Sequence, residues 1–276
     1  MSTSPQARSE HDIPLRKPNL EFDASIPRLW KNGNVFATHF FNGLNLVFPD
    51  GERFFVKSVH DHLGRITEPV LLRQAKQFAA QEGQHANQHE QYFGRLRAQG
   101  YQIDAFLRRF HQFYRFANRL PAGLRLAITA GAEHYTAVLG AGAIEEFALL
   151  ADAHPTMRQL IVWHATEEIE HKAVAFDVLR ATHPSYLLRI AGFLIATVCL
   201  IGWTFAGTRM LIKQDRVSRA VFAEHRRLAM QRDDYRGIKR IRAGIRAYFR
   251  RDFHPDQSDH LALARRRLAE VLPAFA

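Results

Sequence analysis

A chain of 276 residues, 47% of them hydrophobic, is long and apolar enough to bury a substantial core in one or two domains. Its one cysteine, Cys199, excludes an intramolecular disulfide and any thiolate-held zinc or iron–sulfur cluster, which leaves carboxylates and imidazoles as metal ligands. Two features depart from ordinary composition: a net charge of +11 and fifteen histidines.

Residues 1–17 are polar and proline-containing, with no apolar run that would make a secretory signal. Residues 1–24 therefore read as a disordered lead-in, and the start as cytoplasmic. Residues 25–185 are expected to form a metal-binding helical bundle. Its first segment, residues 34–48, is aromatic and aliphatic. Pro49 is expected to break that helix, with Asp50 capping a new one that carries Glu52 in its first turn. There Glu52 serves either as a dipole-favoured acid or as a ligand.

Glu68-Pro69 opens the next helix, which runs to about Gly100. It contains Gln81-Glu82-Gly83-Gln84-His85, a Glu-x-x-His pair, with His89 one turn further along the same face. Phe78 and Phe93 bracket that stripe, which points to a buried polar site. Residues 106–119 read as a basic aromatic connector. Pro121 opens a third helix in which Glu133 stands in a segment nearly free of charge, costly to bury unless paired or metal-bound. His134, about 100° away, reads as a structural histidine or a neighbour of the ligands.

The fourth helix starts after His154-Pro155 and ends near His183-Pro184. It holds Trp163-His164-Ala165-Thr166-Glu167-Glu168-Ile169-Glu170-His171-Lys172. At about 100° per residue, His164, Glu167, Glu168 and His171 share one arc while Glu170 faces outward. Glu168 and His171 repeat the Glu-x-x-His spacing.

One Glu, one Glu-x-x-His, one Glu and one Glu-x-x-His on four successive helices is the ligand pattern of ferritin-like dinuclear carboxylate bundles. The expected fold is therefore all-α, a ferritin-like four-helix bundle with a dinuclear metal site, followed by a hydrophobic helix and basic C-terminal helices. The expected metal ligands are Glu52, Glu82, His85, Glu133, Glu168 and His171. His89 and His164 are additional ligands or donors that orient the carboxylates. Glu167 is an alternative to Glu168 or its hydrogen-bonded neighbour.

Leu46-Val47-Phe48-Pro49-Asp50-Gly51-Glu52-Arg53-Phe54-Phe55, Gln81 through His85 with His89, Ala132-Glu133-His134-Tyr135-Thr136, and Trp163 through Asp177 resemble a bacterial family of predicted metal-dependent hydrolases. The resemblance spans about residues 25–255. It implies metal binding at the matching Glu and His positions and a hydrolytic activity.

Four carboxylates carry a charge near −4, which two divalent cations would neutralise. Carboxylates with imidazoles suit two iron ions, with manganese or zinc as alternatives. The scaffold favours dioxygen activation, an oxidase or oxygenase acting on an apolar, lipid-like substrate and fed by an electron donor. The alternative is hydrolysis at a two-metal centre. Non-enzymatic metal storage or sensing is the third reading.

Residues 190–208 are uncharged over 19 positions, long enough to cross a bilayer or to be buried against the bundle or a second subunit of a homodimer. Gly192, Gly202 and Gly207 would allow bending or close packing. Downstream, Arg236, Lys239, Arg240, Arg242, Arg246, Arg250 and Arg251 interleave with Ile238, Ile241, Ile245 and Phe249, as in a cationic helix lying on anionic lipid. Residues 186–212 are thus expected as a hydrophobic helix and 213–276 as basic amphipathic helices, placing the protein at the cytoplasmic face of the inner membrane. No nucleic-acid recognition motif accompanies the basic tail, so no nucleic-acid partner is expected.

Overall fold

The computed structural model describes residues 12–275, and for residues 231–238 the backbone alone. Residues 1–11 of the expected lead-in, and the side chains of Arg236 and Ile238, lie outside that description. Among the described residues the chain is helical with no strand; one isolated bridge pairs Lys31 with Ala153.

Helix α1 is Val35–His60, and Asn34 caps it by accepting a hydrogen bond from the Ala37 amide at 2.8 Å. Pro49 lies inside α1 and does not break it, so Asp50 is not a cap and Glu52 is a mid-helix residue. Proline removes one backbone donor and crowds the carbonyl four residues earlier, a penalty of about 3 kcal/mol. Core packing on both sides of it outweighs that penalty, with Leu46 and Val47 buried before the proline and Phe54 and Phe55 after it.

Helix α2 is Pro69–Ala98, and both carboxylate oxygens of Glu68 accept its first free amides, from Val70 and Leu71. Gly100, at φ +88°, follows its end in the left-handed conformation that glycine adopts without strain. The expected connector is instead a third helix, α3 (Asp104–Ala117). Its phenylalanines recur at helical spacing, and Phe106 and Phe110 are buried. Helix α4 is Ala122–Glu145.

The expected fourth helix is two, α5 (Pro155–His171) and α6 (Val174–Thr182). The chain turns at Lys172 and Ala173, where the Lys172 ammonium leaves the helix to reach the Ser258 carbonyl. The turn lets α6 pack on α2 and α4. Helix α7 is Tyr186–Asp215, α8 is Arg219–Tyr248 and α9 is Leu261–Val271.

Helices α1, α2, α4 and α5 form the four-helix bundle, while α7 lies against α1 and α4 and α9 against α5. Gly192 lets α7 approach α4 closely, since a Cβ there would sit 2.3 Å from the Ala127 carbonyl carbon. The segment before α1 is not a disordered lead-in where it is described: Ile13, Arg16 and Leu20 are all buried. No periodicity marks that segment, because its contacts are with the assembled bundle rather than with its own neighbours.

Candidate metal centre

The four bundle helices bring Glu52 from α1, Glu82, His85 and His89 from α2, Glu133 from α4, and His164, Glu167, Glu168 and His171 from α5 into one buried cluster. None of the nine is more than 6% exposed. Two groups of potential ligand atoms form within it, each with its atoms inside 4.8 Å of one another: Glu52, His85 and His164; and Glu82, Glu133, Glu168 and His171.

Glu82 and Glu168 stand between the groups. The Glu82 oxygens lie 3.1 Å from His171 Nε2 and 3.8 Å from His85 Nδ1, and those of Glu168 lie 3.4 Å and 3.6 Å from the same two atoms. Glu133 is 3.3 Å from His171 Nε2, and Glu52 is 3.8 Å from His164 Nε2.

The hydrogen bonds behind the imidazoles fix which nitrogen faces the cluster. His85 Nε2 donates to Glu167 Oε2 at 3.0 Å, leaving Nδ1 toward Glu82 and Glu168. Gln81 spends its amide hydrogens on the Pro14 carbonyl and Glu170, so its oxygen accepts from His171 Nδ1 at 3.0 Å and Nε2 faces inward. The Asn45 amide donates to the Phe41 carbonyl, so its oxygen accepts from His89 Nδ1 at 2.6 Å. His89 Nε2 then accepts from His164 Nδ1 at 2.8 Å, and the remaining nitrogen of His164 faces Glu168 and Glu52. Three imidazoles, those of His85, His164 and His171, therefore turn one nitrogen each toward four carboxylates.

With no proton on the inward-facing nitrogens, both oxygens of Glu52, Glu82 and Glu133, together with Glu168 Oε2, His85 Nδ1 and His171 Nε2, are buried without a hydrogen-bond partner. An orphaned buried donor or acceptor ordinarily costs about 1–3 kcal/mol, more when charged, so a cluster of nine such atoms calls for a cation. The titration behaviour says the same. Burial, and then repulsion from neighbouring carboxylates, pushes Glu52 well above the usual range and Glu133 up to about 8. Burial also disfavours charge on Glu168, His85 and His171. The histidine–carboxylate contacts more than offset it, holding Glu168 well below its usual value and raising both histidines well above theirs. The cluster holds protons where it lacks other positive charge. Carboxylate and imidazole donors at these spacings fit divalent cations.

His89 belongs to neither ligand group. Both its nitrogens are committed, to Asn45 and to His164, and burial followed by the nearby His164 and His85 lowers its basicity well below normal. Glu167 likewise belongs to neither ligand group, accepting from His85 on one oxygen and from Trp163 Nε1 at 2.9 Å and Arg16 Nη1 at 3.2 Å on the other. Glu170 does not face solvent. It is buried and held by two bonds from Arg16 at 2.7 and 2.9 Å and one from Arg265 at 3.0 Å. Arg16 and Gln81 are the supporting residues the sequence does not announce. His134 stands apart, donating to the Gly244 carbonyl at 2.9 Å, and burial lowers it to about 4.

Phe48 packs against both His89 and His164, with ring centroids 4.8 and 4.7 Å away. Beside it a cavity of about 90 Å³ reaches both histidines and is walled by Phe41, Leu44, Leu139, Leu160 and Ile161.

No curated protein and no solved structure matches the chain. The family described as predicted metal-dependent hydrolase matches residues 14–259, a span that takes in every residue of the cluster and its Gln81 and Arg16 supports. The chain belongs to the family of predicted metal-dependent hydrolases.

Proposed function

We propose that the protein is a hydrolase with a dinuclear metal centre. Glu52, His85 and His164 would hold one ion and Glu82, Glu133, Glu168 and His171 the other, with Glu82 and Glu168 also within 3.8 Å of His85. The observation that carries this reading is the set of nine buried ligand atoms, oxygens and imidazole nitrogens that face one another and find no other partner. Two divalent cations bound there would polarise a carbonyl or phosphoryl oxygen and acidify a water for attack on it. The chain's own contribution is to hold the donors still: Glu167 orients His85, Gln81 orients His171, and His89 with Asn45 orients His164. The apolar cavity would receive the uncharged part of a substrate.

The test is hydrolysis of a panel of carboxylic and phosphate esters by protein loaded with zinc, manganese or ferrous iron, without a reductant. Turnover that chelation abolishes and metal restores supports the reading. Absence of turnover with every metal and every ester sinks it.

A second reading, dioxygen-dependent oxidation of an apolar substrate, is favoured by one observation. The cavity that ends on His164 and His89 has mostly apolar walls, interrupted by Asn45 and Thr136, beside a four-carboxylate centre. Dioxygen consumption by the iron-loaded protein with an electron donor, and no ester hydrolysis, would select it.

A further inference from the structure

We infer that α7 and α3 form a docking face that seats the protein in the interfacial plane of an anionic lipid bilayer. Leu187, Leu194, Val198, Ile201 and Phe205 are 77%, 50%, 73%, 47% and 51% exposed. Ala191, Ile195, Gly202 and Ala206 lie among them and are exposed as well. These nine recur at helical spacing and make one unbroken stripe along α7, about 28 Å from end to end at 1.5 Å per residue. Single exposed hydrophobic residues are ordinary on a soluble protein, but a continuous stripe of this length is a contact surface.

The opposite face of α7, with Gly192, Phe193, Ala196, Thr204, Gly207 and Leu211, is buried against α1 and α4. Only one side of the helix is free to meet hydrocarbon. It can therefore lie along a bilayer surface with its bundle in water, but it cannot be ringed by lipid as a simple span would be.

Charge identifies the occupant. The stripe runs directly into exposed Arg209 and Lys213 at its C-terminal end. Alongside, α3 packs its Phe106, Phe110 and Phe113 around Trp203 at centroid distances of 5.6, 5.1 and 5.6 Å. That helix exposes Arg108, Arg109 and Arg115, with Phe116 at 65% exposure among them. Arginines beside an exposed apolar stripe, in a chain of net charge +11, complement lipid phosphates. A second copy fits less well. A two-fold interface on this stripe would bring the cationic flanks of two like-charged chains together. The inference is independent of the hydrolase reading, since it uses no residue of the metal cluster.

The experiment is co-sedimentation of the full chain with phosphatidylcholine vesicles, with and without a minority of phosphatidylglycerol. Binding is expected to the anionic vesicles and to fall with added salt. Val198→Glu should weaken it about tenfold, and Arg108→Glu with Arg109→Glu by a similar factor. Light scattering runs in parallel on the wild type and on Val198→Glu. Failure to bind anionic vesicles overturns the inference, as does a dimer that Val198→Glu splits without any vesicle binding. A measurement needing no variant guards against misfolding. Trp203 is half-buried while Trp30 and Trp163 are fully buried, so brominated phosphatidylglycerol should quench the emission of Trp203. No quenching would contradict the docking.

Discussion

Arg16 Nη1 lies 3.2 Å from Glu167 Oε1, and the other oxygen of that carboxylate takes the ring proton of His85. A residue from the irregular N-terminal segment thus supports the candidate metal ligand His85 through Glu167, a carboxylate 151 positions from it in sequence. The same guanidinium makes two bonds to Glu170, which also accepts from Gln81, the partner of His171. The segment around residues 12–20 is therefore part of the centre's support.

Arg16→Ala should destabilise the protein by about 3 kcal/mol, because it strips a buried ion pair of one partner while Arg265 still holds Glu170. It should also weaken metal binding by roughly ten- to a hundredfold through the lost support of Glu167, with partial rescue in Arg16→Lys. Metal titration by calorimetry checks this. Unchanged affinity in the alanine variant would show that Glu167 is held well enough by Trp163 alone.

Much of the bundle was legible in the sequence, because ligand spacing and helix punctuation are local signals. Glu68-Pro69, Pro121 and His154-Pro155 mark starts that the structure keeps, and the two Glu-x-x-His pairs place carboxylate and imidazole on one face. What escaped depends on long-range contacts. Pro49 reads as a breaker, yet packing on both sides carries α1 through it. Glu170 reads as outward because helical geometry says where it points, not what waits there; Arg16 waits there. His89 and His164 look equivalent by spacing, and only Asn45, arriving from α1, separates the residue behind from the residue in front.

That separation makes a second prediction. Glu133→Ala and His171→Ala should each reduce binding from two ions per chain to one or fewer, whereas His89→Ala should still bind two, about ten- to a hundredfold more weakly. Equilibrium dialysis with elemental analysis reads both quantities. A full complement of metal in either of the first two variants would displace that residue from the ligand set.

Asp215 offers a pH test away from the centre. It accepts from Arg28 Nε at 2.7 Å, from the Tyr101 hydroxyl at 2.8 Å and from His39. Burial pushes this carboxyl up, but the bonds from His39 and Arg28 more than offset it, so it lies below the usual carboxylate range. A carboxylate depressed in the fold stabilises it above the unfolded value of about 3.9, and that contribution fades as pH falls through the lower folded value. Asp215→Asn should lose about 1–2 kcal/mol near neutral pH, with the deficit shrinking below about pH 4. Denaturant unfolding at the two pH values decides; a deficit that stays constant would contradict the ion-pair origin.

The glycines of α7 make a matched pair. Gly192→Ala should destabilise by about 1–3 kcal/mol, since its Cβ would collide with the Ala127 backbone at 2.3 Å. Gly202 has nothing within 4 Å of that position, so Gly202→Ala should stabilise the helix by about 0.5–1 kcal/mol. Thermal melts of the two variants measure this, and equal effects would mean that α7 does not pack on α4 as described.

The most direct test of the proposed dinuclear centre is the number of metal ions retained per chain by the purified protein, compared with Glu168→Ala. Glu168 lies between the two ligand groups, touching an imidazole of each. Two ions per chain in the wild type, and loss of both in the variant, is the predicted result. A wild-type chain that holds one ion or none after exposure to excess iron, manganese and zinc would contradict it.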